Sequence, residues 1–279
     1  MATNERVVSR PGPRVRPFVE RYVGYRMAGY EPAMHRGLPS RYMTFIVSID
    51  HPIDVVRQTS EAQAPRTYRS VLGGLQASPA LISHDGNQEG VAIELTPLGS
   101  RSLFGMPARA VWNLTLELHE VAGPIGDELW ERLQDAPGWR ERFAACDAVL
   151  ARLAGENETA VELVGCWRAL VSSHGQLPID ILAREVSYSR QHLARRFREE
   201  FGLGPKLAAR IIRFERANRM MRATRSYVSL AEVAAMCGYA DQSHLTRDFT
   251  ALAGCSPAQW LRDEELPILQ DEDPSGVRA

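Results

Sequence analysis

Apolar and polar positions follow two different rhythms along the 279-residue chain. In the first part the apolar residues fall in short runs: Tyr42-Met-Thr-Phe-Ile-Val-Ser-Ile49, Val71-Leu-Gly-Gly-Leu75 and Gly90-Val-Ala-Ile-Glu-Leu95. Turn-forming stretches separate them, at His51-Pro52, Ser78-Pro79 and Asp85-Gly86-Asn87. The pattern predicts many short strands arranged as a barrel or sandwich. From about Gly123 the spacing becomes helical. Ile125, Leu129 and Leu133 predict one amphipathic helix, and Phe143, Val149, Leu150 and Leu153 a second beyond the break at Ala136-Pro137-Gly138. Gly155-Glu156-Asn157 reads as a joint, residues 160–173 as a further helix, and residues 172–178 as the turn into a C-terminal module.

That module contains an internal repeat. Ile181-Leu-Ala183-Arg-Glu-Val186-Ser-Tyr188, then Ser189-Arg-Gln-His-Leu193-Ala-Arg-Arg-Phe197 and Gly202-Leu-Gly-Pro205, make the first copy. Glu232-Val-Ala234-Ala-Met-Cys237-Gly-Tyr239, then Ala240-Asp-Gln-Ser-His-Leu245-Thr-Arg-Asp-Phe249 and Gly254-Cys-Ser-Pro257, make the second. Ala183/Ala234 and Tyr188/Tyr239 are 51 residues apart, whereas Leu193/Leu245, Phe197/Phe249, Gly202/Gly254 and Pro205/Pro257 are 52 apart. The second turn is therefore one residue longer. Each copy reads as a helix-turn-helix. A small alanine permits a close helix crossing, and Ser187 or Gly238 turns the chain before a packing tyrosine. Ser189 is placed to cap the helix that follows. Leu193 and Phe197, like Leu245 and Phe249, sit four apart and face a core. The opposite faces carry Arg190, Gln191, Ala194 and Arg195 in one copy, and Gln242, Ser243, Thr246 and Arg247 in the other. Arginine and glutamine at the start of such a helix suit the donor and acceptor edges of the major groove.

Charge supports that reading. Residues 178–262 carry 14 Lys/Arg against 8 Asp/Glu, although the whole chain has a net charge of −1. Residues 263–279 carry one arginine against six acids, and the segment 265–279 is expected to be a disordered acidic tail. Near-average composition excludes collagen-like, disulfide-scaffold and wholly disordered chains. No apolar run approaches a membrane span, and the N-terminus has no apolar signal region. Cys146, Cys166, Cys237 and Cys255 form neither a CxxC pair nor a framework, which predicts a cytoplasmic protein with reduced thiols.

The span 179–261 resembles the AraC/XylS family of bacterial transcription regulators. The matching pieces are Ala183…Ser189-x3-Leu193-x3-Phe197-x4-Gly202-x2-Pro205, then Arg213-x3-Ala217, then Ala231-Glu-Val-Ala234-x3-Gly238-Tyr-x5-Leu245-x-Arg247-x-Phe249-x4-Gly254-x-Ser-Pro257. The resemblance implies two helix-turn-helix units joined by a long helix, with recognition helices in successive major-groove segments of a promoter or operator. Carried onto this chain, the base-contact positions are Gln191, Arg195, Gln242, Ser243, Thr246 and Arg247. Arg190, Arg196, Arg198 and Lys206 are the phosphate candidates. Ala194 is too small to hydrogen-bond a base, so the first helix is expected to read fewer bases than the second. More weakly, the first half resembles the family's N-terminal regulatory domains, through Pro17-Phe18-Val-x2-Tyr22, Leu72-Gly73-Gly74 and Leu98-x6-Gly105-Met-Pro-Ala108. That resemblance implies a small-molecule effector, homodimerisation through the trailing helices, and RNA polymerase as a partner, with activation the commoner outcome.

The expected fold class is α+β. A β-barrel or sandwich with trailing helices spans 1–155, a linker helix region 156–177, and an all-α DNA-binding domain 178–264. Tyr42, Phe45, Val47 and Trp112 are read either as effector-pocket lining or as core, with core preferred. The faces holding Leu129/Leu133 and Phe143/Val149/Leu150/Leu153 are read equally as dimer surface or as packing on their own barrel. Arginines at 210, 213, 216, 219, 222 and 225 advance about 300° per step around a helix, so they spiral. Arg213 is read as structural and the rest as mostly solvated surface. His192 and His244 are read as packing or phosphate-proximal, and Cys237 and Cys255 as small buried hydrophobes rather than a redox switch. The other histidines show no HxH, HxxxH or HExxH spacing, and His84-Asp85 reads as a turn. No phosphate loop or nucleophile elbow is apparent, so neither catalysis, metal nor cofactor is expected, and an enzyme fused to an autoregulatory DNA-binding module is the alternative.

Overall fold

The structure, a computed structural model, describes residues 2–224 and 228–263; the expected acidic tail 265–279 and Arg225 lie outside the described residues. The chain forms two compact units, one built from residues up to Thr159 and the other from Ala160 onward together with the short segments Leu38–Arg41 and Gln76–Pro79. Among the described residues no helix is long and apolar enough to cross a membrane.

The first unit holds ten strands in two antiparallel sheets. One runs β1 (Thr3–Ser9), β2 (Val19–Ala28), β9 (Gln88–Leu95), β4 (Met43–Ser48), β7 (Ser70–Gly73), β10 (Thr115–Glu117); the other runs β3 (Ala33–Gly37), β8 (Ala80–His84), β5 (Ile53–Arg57), β6 (Arg66–Tyr68). Most neighbours within each sheet are distant in sequence, as in a double-sheet fold. Strand alternation assigns the two faces of the larger sheet. Ile46 and Val71 face the smaller sheet and pack with Ile53, Val55, Tyr68, Ala80 and Ile82. Tyr22, Ile93, Phe45 and Leu72 lie opposite one another on the other face. There Phe143 of helix α4 (Trp139–Leu153) stacks on Tyr22, with ring centroids 5.9 Å apart. Gly24, in the row of Val47 and Val91, lies so close to Trp139 that a Cβ would sit 2.4 Å from the indole. Covering both faces explains why the predicted strands read as nearly continuous apolar runs.

Short helices α1 (Ser100–Phe104) and α2 (Leu118–Ala122) lead to α3 (Pro124–Asp135) and α4. Leu129, Leu133, Val149 and Leu150 have no solvent exposure within the single chain, and Phe143 only 7%. The apolar faces weighed as a dimer surface are therefore spent on the chain's own core. Polar contacts fasten α4 as well. The Asp147 carboxylate accepts from the Tyr22 hydroxyl (2.8 Å) and the Gly12 amide (2.9 Å). Glu89 accepts two hydrogen bonds of 2.8 Å from Arg26 and a further one from the buried Arg142.

The regular elements of the second unit, among the described residues, are helices: α5 (Val161–Ser172), α6 (Ile179–Glu185), α7 (Arg190–Phe201), α8 (Pro205–Thr224), α9 (Leu230–Met236), α10 (Gln242–Ala253) and α11 (Pro257–Asp263). The long α8 buries Ala208, Ala209, Ile211, Ile212, Phe214, Ala217 and Met221. These positions run around much of its circumference, as a helix surrounded by neighbours requires. Phe214 packs on Phe249 of α10 at 5.0 Å, and Trp167 of α5 packs on Phe201 and Phe197 of α7 at 4.8 and 6.4 Å. The helix that the sequence places between the domains is thus packed into the helical unit.

The hydrogen bonds and charges of Arg26 and Arg142 hold the Glu89 carboxyl below the usual carboxylate range. A carboxyl depressed by folding stabilises above its unfolded pKa of about 4.3, and that stabilisation is lost as pH falls below it. Glu89→Gln should cost the N-terminal unit about 1–3 kcal/mol at pH 7, since it leaves Arg142 buried beside a neutral partner. It should also flatten the loss of stability as pH falls below about 4.3. Urea unfolding of both proteins across that range measures the two effects.

Candidate nucleic-acid interface

The repeat is reproduced bond by bond. The Tyr188 amide donates to the Ala183 carbonyl and the Tyr239 amide to the Ala234 carbonyl, both at 2.9 Å. The turn residues before these tyrosines are left-handed, Ser187 at φ 57° and Gly238 at φ 76°. Ser189 Oγ caps α7 by accepting from the His192 amide at 3.1 Å. Asp241 Oδ1 caps α10 by accepting from the His244 amide at 2.7 Å. The sequence singled out only Ser189. Asp241 is its counterpart once Ala240 is recognised as the extra residue of the second turn. The His192 ring meets the edge of Tyr188 at 4.4 Å, and His244 meets Tyr239 at 5.2 Å. Gly202 (φ 82°) and Gly254 (φ 71°) terminate α7 and α10 in the left-handed conformation glycine permits, and α8 and α11 begin at Pro205 and Pro257.

These constraints fix which faces remain outside. Leu193, Phe197, Leu245 and Phe249 have no exposure. Gln191 and Arg195 are exposed on the first half of α7, as are Gln242, Ser243 and Arg247 on α10, with Ala194 and Thr246 half-buried beside them. Arg190, Arg198 and Lys206 are exposed and Arg196 half-buried. The two units differ in electrostatics. Arg195 is paired with Glu199 at 2.9 Å and Arg190 with Asp180, and Arg198 donates to the Ala194 carbonyl at 3.4 Å. Arg247 makes no ion pair or side-chain hydrogen bond among the described residues. Exposed pairs of this kind are worth only about 0–1 kcal/mol, so exchanging a carboxylate for a phosphate costs the first unit little.

A family model described as a helix-turn-helix domain matches residues 182–263. This region is an AraC-type helix-turn-helix domain. The chain that carries it is a DNA-binding transcription regulator. No curated protein matches the chain significantly. Among solved structures, ToxT from Vibrio cholerae O395 is similar in fold, at 14% identity and a TM-score of 0.50, covering 94% of this chain and 99% of that one. ToxT bound to (E)-4-(8-methylnaphthalen-1-yl)but-3-enoic acid is similar at 13% identity and a TM-score of 0.50, covering 93% and 98%. The C-terminal domain of AraT, a response regulator from Geobacillus stearothermophilus, matches 41% of this chain and 95% of its own length at 20% identity and a TM-score of 0.35.

Within the AraC-type domain the arginine spiral of α8 corrects the expectation of a mostly solvated surface. Arg210 pairs with Asp248 of α10 at 2.9 Å. Arg213 lies over the Tyr239 ring at 5.6 Å and donates to the Gly175 carbonyl. Arg219 pairs with Glu215 at 3.0 Å, and Arg222 lies over Trp260 at 5.3 Å. Successive 300° steps carry Arg210, Arg213 and Arg222 to different neighbours of α8, whereas Arg219 pairs along α8 itself. Arg213 is structural, as read. His192 and His244 pack on their tyrosines as read, and all four cysteines are buried without disulfides. Burial pushes the Cys166 thiol up to about 11 and raises Cys146 and Cys237 as well, which keeps these thiols protonated. Among the described residues no group of three or more potential ligands could hold a metal.

The four pocket candidates of the N-terminal unit are not brought together between the sheets. Phe45 and Val47 are fully buried on the face covered by the helices, and Tyr42 and Trp112 are half-buried. The groups that point between the sheets were not singled out: the Arg21–Glu94 ion pair at 2.6 Å, and His35 with its ring 6.0 Å from His84. Burial lowers the pKa of His35 to about 4, with the neighbouring His84 adding to the shift. His84 Nδ1 accepts from the Gly86 amide at 3.1 Å, so His84-Asp85 is part of a turn, as read. Glu94 inside an apolar strand was the available signal.

The left-handed turns yield a stability test. A side chain held at positive φ costs about 1–2 kcal/mol that glycine does not. Ser187→Gly should stabilise the AraC-type domain by about 1 kcal/mol. Gly238→Ala should destabilise it by at least as much, because its Cβ would also lie 2.8 Å from the Gln176 side chain. Thermal unfolding of the three proteins gives the order directly.

Proposed function

We propose that this chain is a sequence-specific regulator that reads two successive major-groove segments, one with α7 and one with α10. The observation that carries the reading is the pair of capped helices, each with a fully buried Leu/Phe face and an exposed polar face at its first turns. Gln242, Ser243, Thr246 and Arg247 are assigned to base edges in the second segment, and Gln191 and Arg195 to fewer bases in the first. Arg190, Arg196, Arg198 and Lys206 are assigned to phosphates, which position the protein without reading sequence. Lys206 at the first turn of α8 adds its charge to the positive end of a helix dipole.

The N-terminal unit, 1–155 in the proposed division, is assigned a regulatory rather than catalytic role. A fold shared with ToxT, one structure of which holds a small aromatic acid, supports a small-molecule effector. The buried polar groups between the two sheets favour that space over Tyr42, Phe45, Val47 and Trp112 as the site. Action as a homodimer on promoter DNA in the cytoplasm, with recruitment of RNA polymerase, completes the proposal. Because α3 and α4 bury their main apolar faces internally, a dimer would use their outer faces.

Arg247→Ala should lose about 1–3 kcal/mol on the preferred site and relax preference at one base pair, while binding random duplex nearly as before. Arg195→Ala should cost less, because its guanidinium is shared with Glu199. Lys206→Ala should weaken all sequences alike and reduce the salt slope by about one. Fluorescence anisotropy on preferred and random duplexes at several salt concentrations separates the three. Equal ratios of specific to random binding in wild type and Arg247→Ala would overturn the base assignment.

A further inference from the structure

The two recognition helices are fastened to the rest of the domain differently. Asp248 lies on the inner side of α10, four residues beyond His244 and one beyond Arg247, with its side chain 10% exposed. Arg210 of α8 reaches both carboxylate oxygens, Nη2 to Oδ1 at 2.9 Å and Nε to Oδ1 and Oδ2 at 3.2 and 3.4 Å. His244 Nε2 stands 4.0 Å from Oδ2, and its Nδ1 accepts from the Ala240 amide in the turn at 3.4 Å. The same turn holds Tyr239, whose ring packs on His244 and is covered by Arg213 of α8. A chain of polar contacts thus runs from the connecting helix through Asp248 and His244 to the turn that launches α10.

The first unit lacks this arrangement. The residue 52 positions before Asp248 is Arg196, which makes no ion pair among the described residues. An acidic side chain is also a poor choice for a helix that approaches phosphates, since its charge opposes binding to any duplex. Its retention calls for a gain elsewhere. A guanidinium gripping a carboxylate through two nitrogens fixes direction as well as distance. Partly buried ion pairs contribute little net stability against apolar packing, and their best-attested use is to select one arrangement among several.

We propose that Asp248, held by Arg210, is a positioning residue that sets the orientation of α10 and therefore the sequence discrimination delivered by Gln242, Ser243 and Arg247. The role acts through α8 and touches no base. It rests on the reading of α10 as a recognition helix.

The test compares binding of the full chain to its preferred duplex and to a random duplex at one salt concentration, for wild type, Asp248→Asn, Arg210→Gln and the double variant. Removing the acid lowers repulsion from DNA, so random binding of Asp248→Asn should hold or tighten. The ratio of specific to random affinity should fall about tenfold, the scale of one misdirected base contact. Arg210→Gln should lower the ratio similarly, and the double variant no further, because both substitutions break one link. Thermal unfolding verifies that each variant is folded. If Asp248→Asn does not fold, Arg210→Lys, which keeps the charge and removes the fork, should lower the ratio instead. A wild-type chain that discriminates, with folded variants whose ratio stays within about twofold, overturns the positioning role alone. A wild-type chain that binds every duplex alike overturns the recognition-helix reading and this inference with it.

Discussion

The C-terminal architecture depends on one constraint: two helix-turn-helix units must each bury an apolar face, and helices outside them supply the surface, α5 against the first and α8 against the second. Neither unit has enough apolar residues to form its own core, since α6 and α9 are seven residues long and bury two residues each. Helix α8 resolves this by being apolar around much of its circumference. Phe214 packs against Phe249, while the alanines at 208, 209 and 217 are buried where larger side chains would hold neighbours apart. The same demand explains the arginines. On a surrounded helix a long side chain ends on a partner: Asp248, Tyr239 and Trp260 on neighbouring segments, and Glu215 on α8 itself. Stacked guanidinium groups also cover apolar ring surface while keeping part of their charge hydrated.

The N-terminal unit solves a related problem differently. Its larger sheet is covered on one face by the smaller sheet and on the other by helices, so alternation of strand residues no longer separates inside from outside. It separates two interiors. The helix-covered interior is largely aromatic, closed by Tyr22, Phe45, Phe143 and the Gly24–Trp139 contact. The inter-sheet interior mixes Ile46, Val71 and Val55 with the Arg21–Glu94 pair and two histidines. Burying charge is expensive unless it is paired, and the 2.6 Å contact between Arg21 and Glu94 supplies that pairing.

Much of this was legible in the chain. The spacing of Leu193/Phe197 and Leu245/Phe249 identified α7 and α10 and their buried faces, because a helix exposed on one side must repeat at i and i+4. Left-handed Ser187 and Gly238 were visible as residues before a repeated tyrosine. Asp241 was hidden by the one-residue insertion, which shifted the cap out of alignment with Ser189. Phe45 and Val47 were apolar and regularly spaced, but a strand pattern does not state which of two buried faces each residue joins. The α8 arginines misled for the opposite reason: charge predicts exposure only when a helix has an exposed side. The partners of Arg210 and Arg222, Asp248 and Trp260, each lie 38 residues away, beyond what local pattern reveals.

The most direct test of two units reading one duplex is selection of genomic fragments by the purified full chain at moderate salt, followed by sequencing. The account predicts enrichment of a few sites, each with two short motifs about one helical turn apart, the second more sharply defined than the first. Recovery of fragments without sequence preference, or of a single short motif alone, would contradict it.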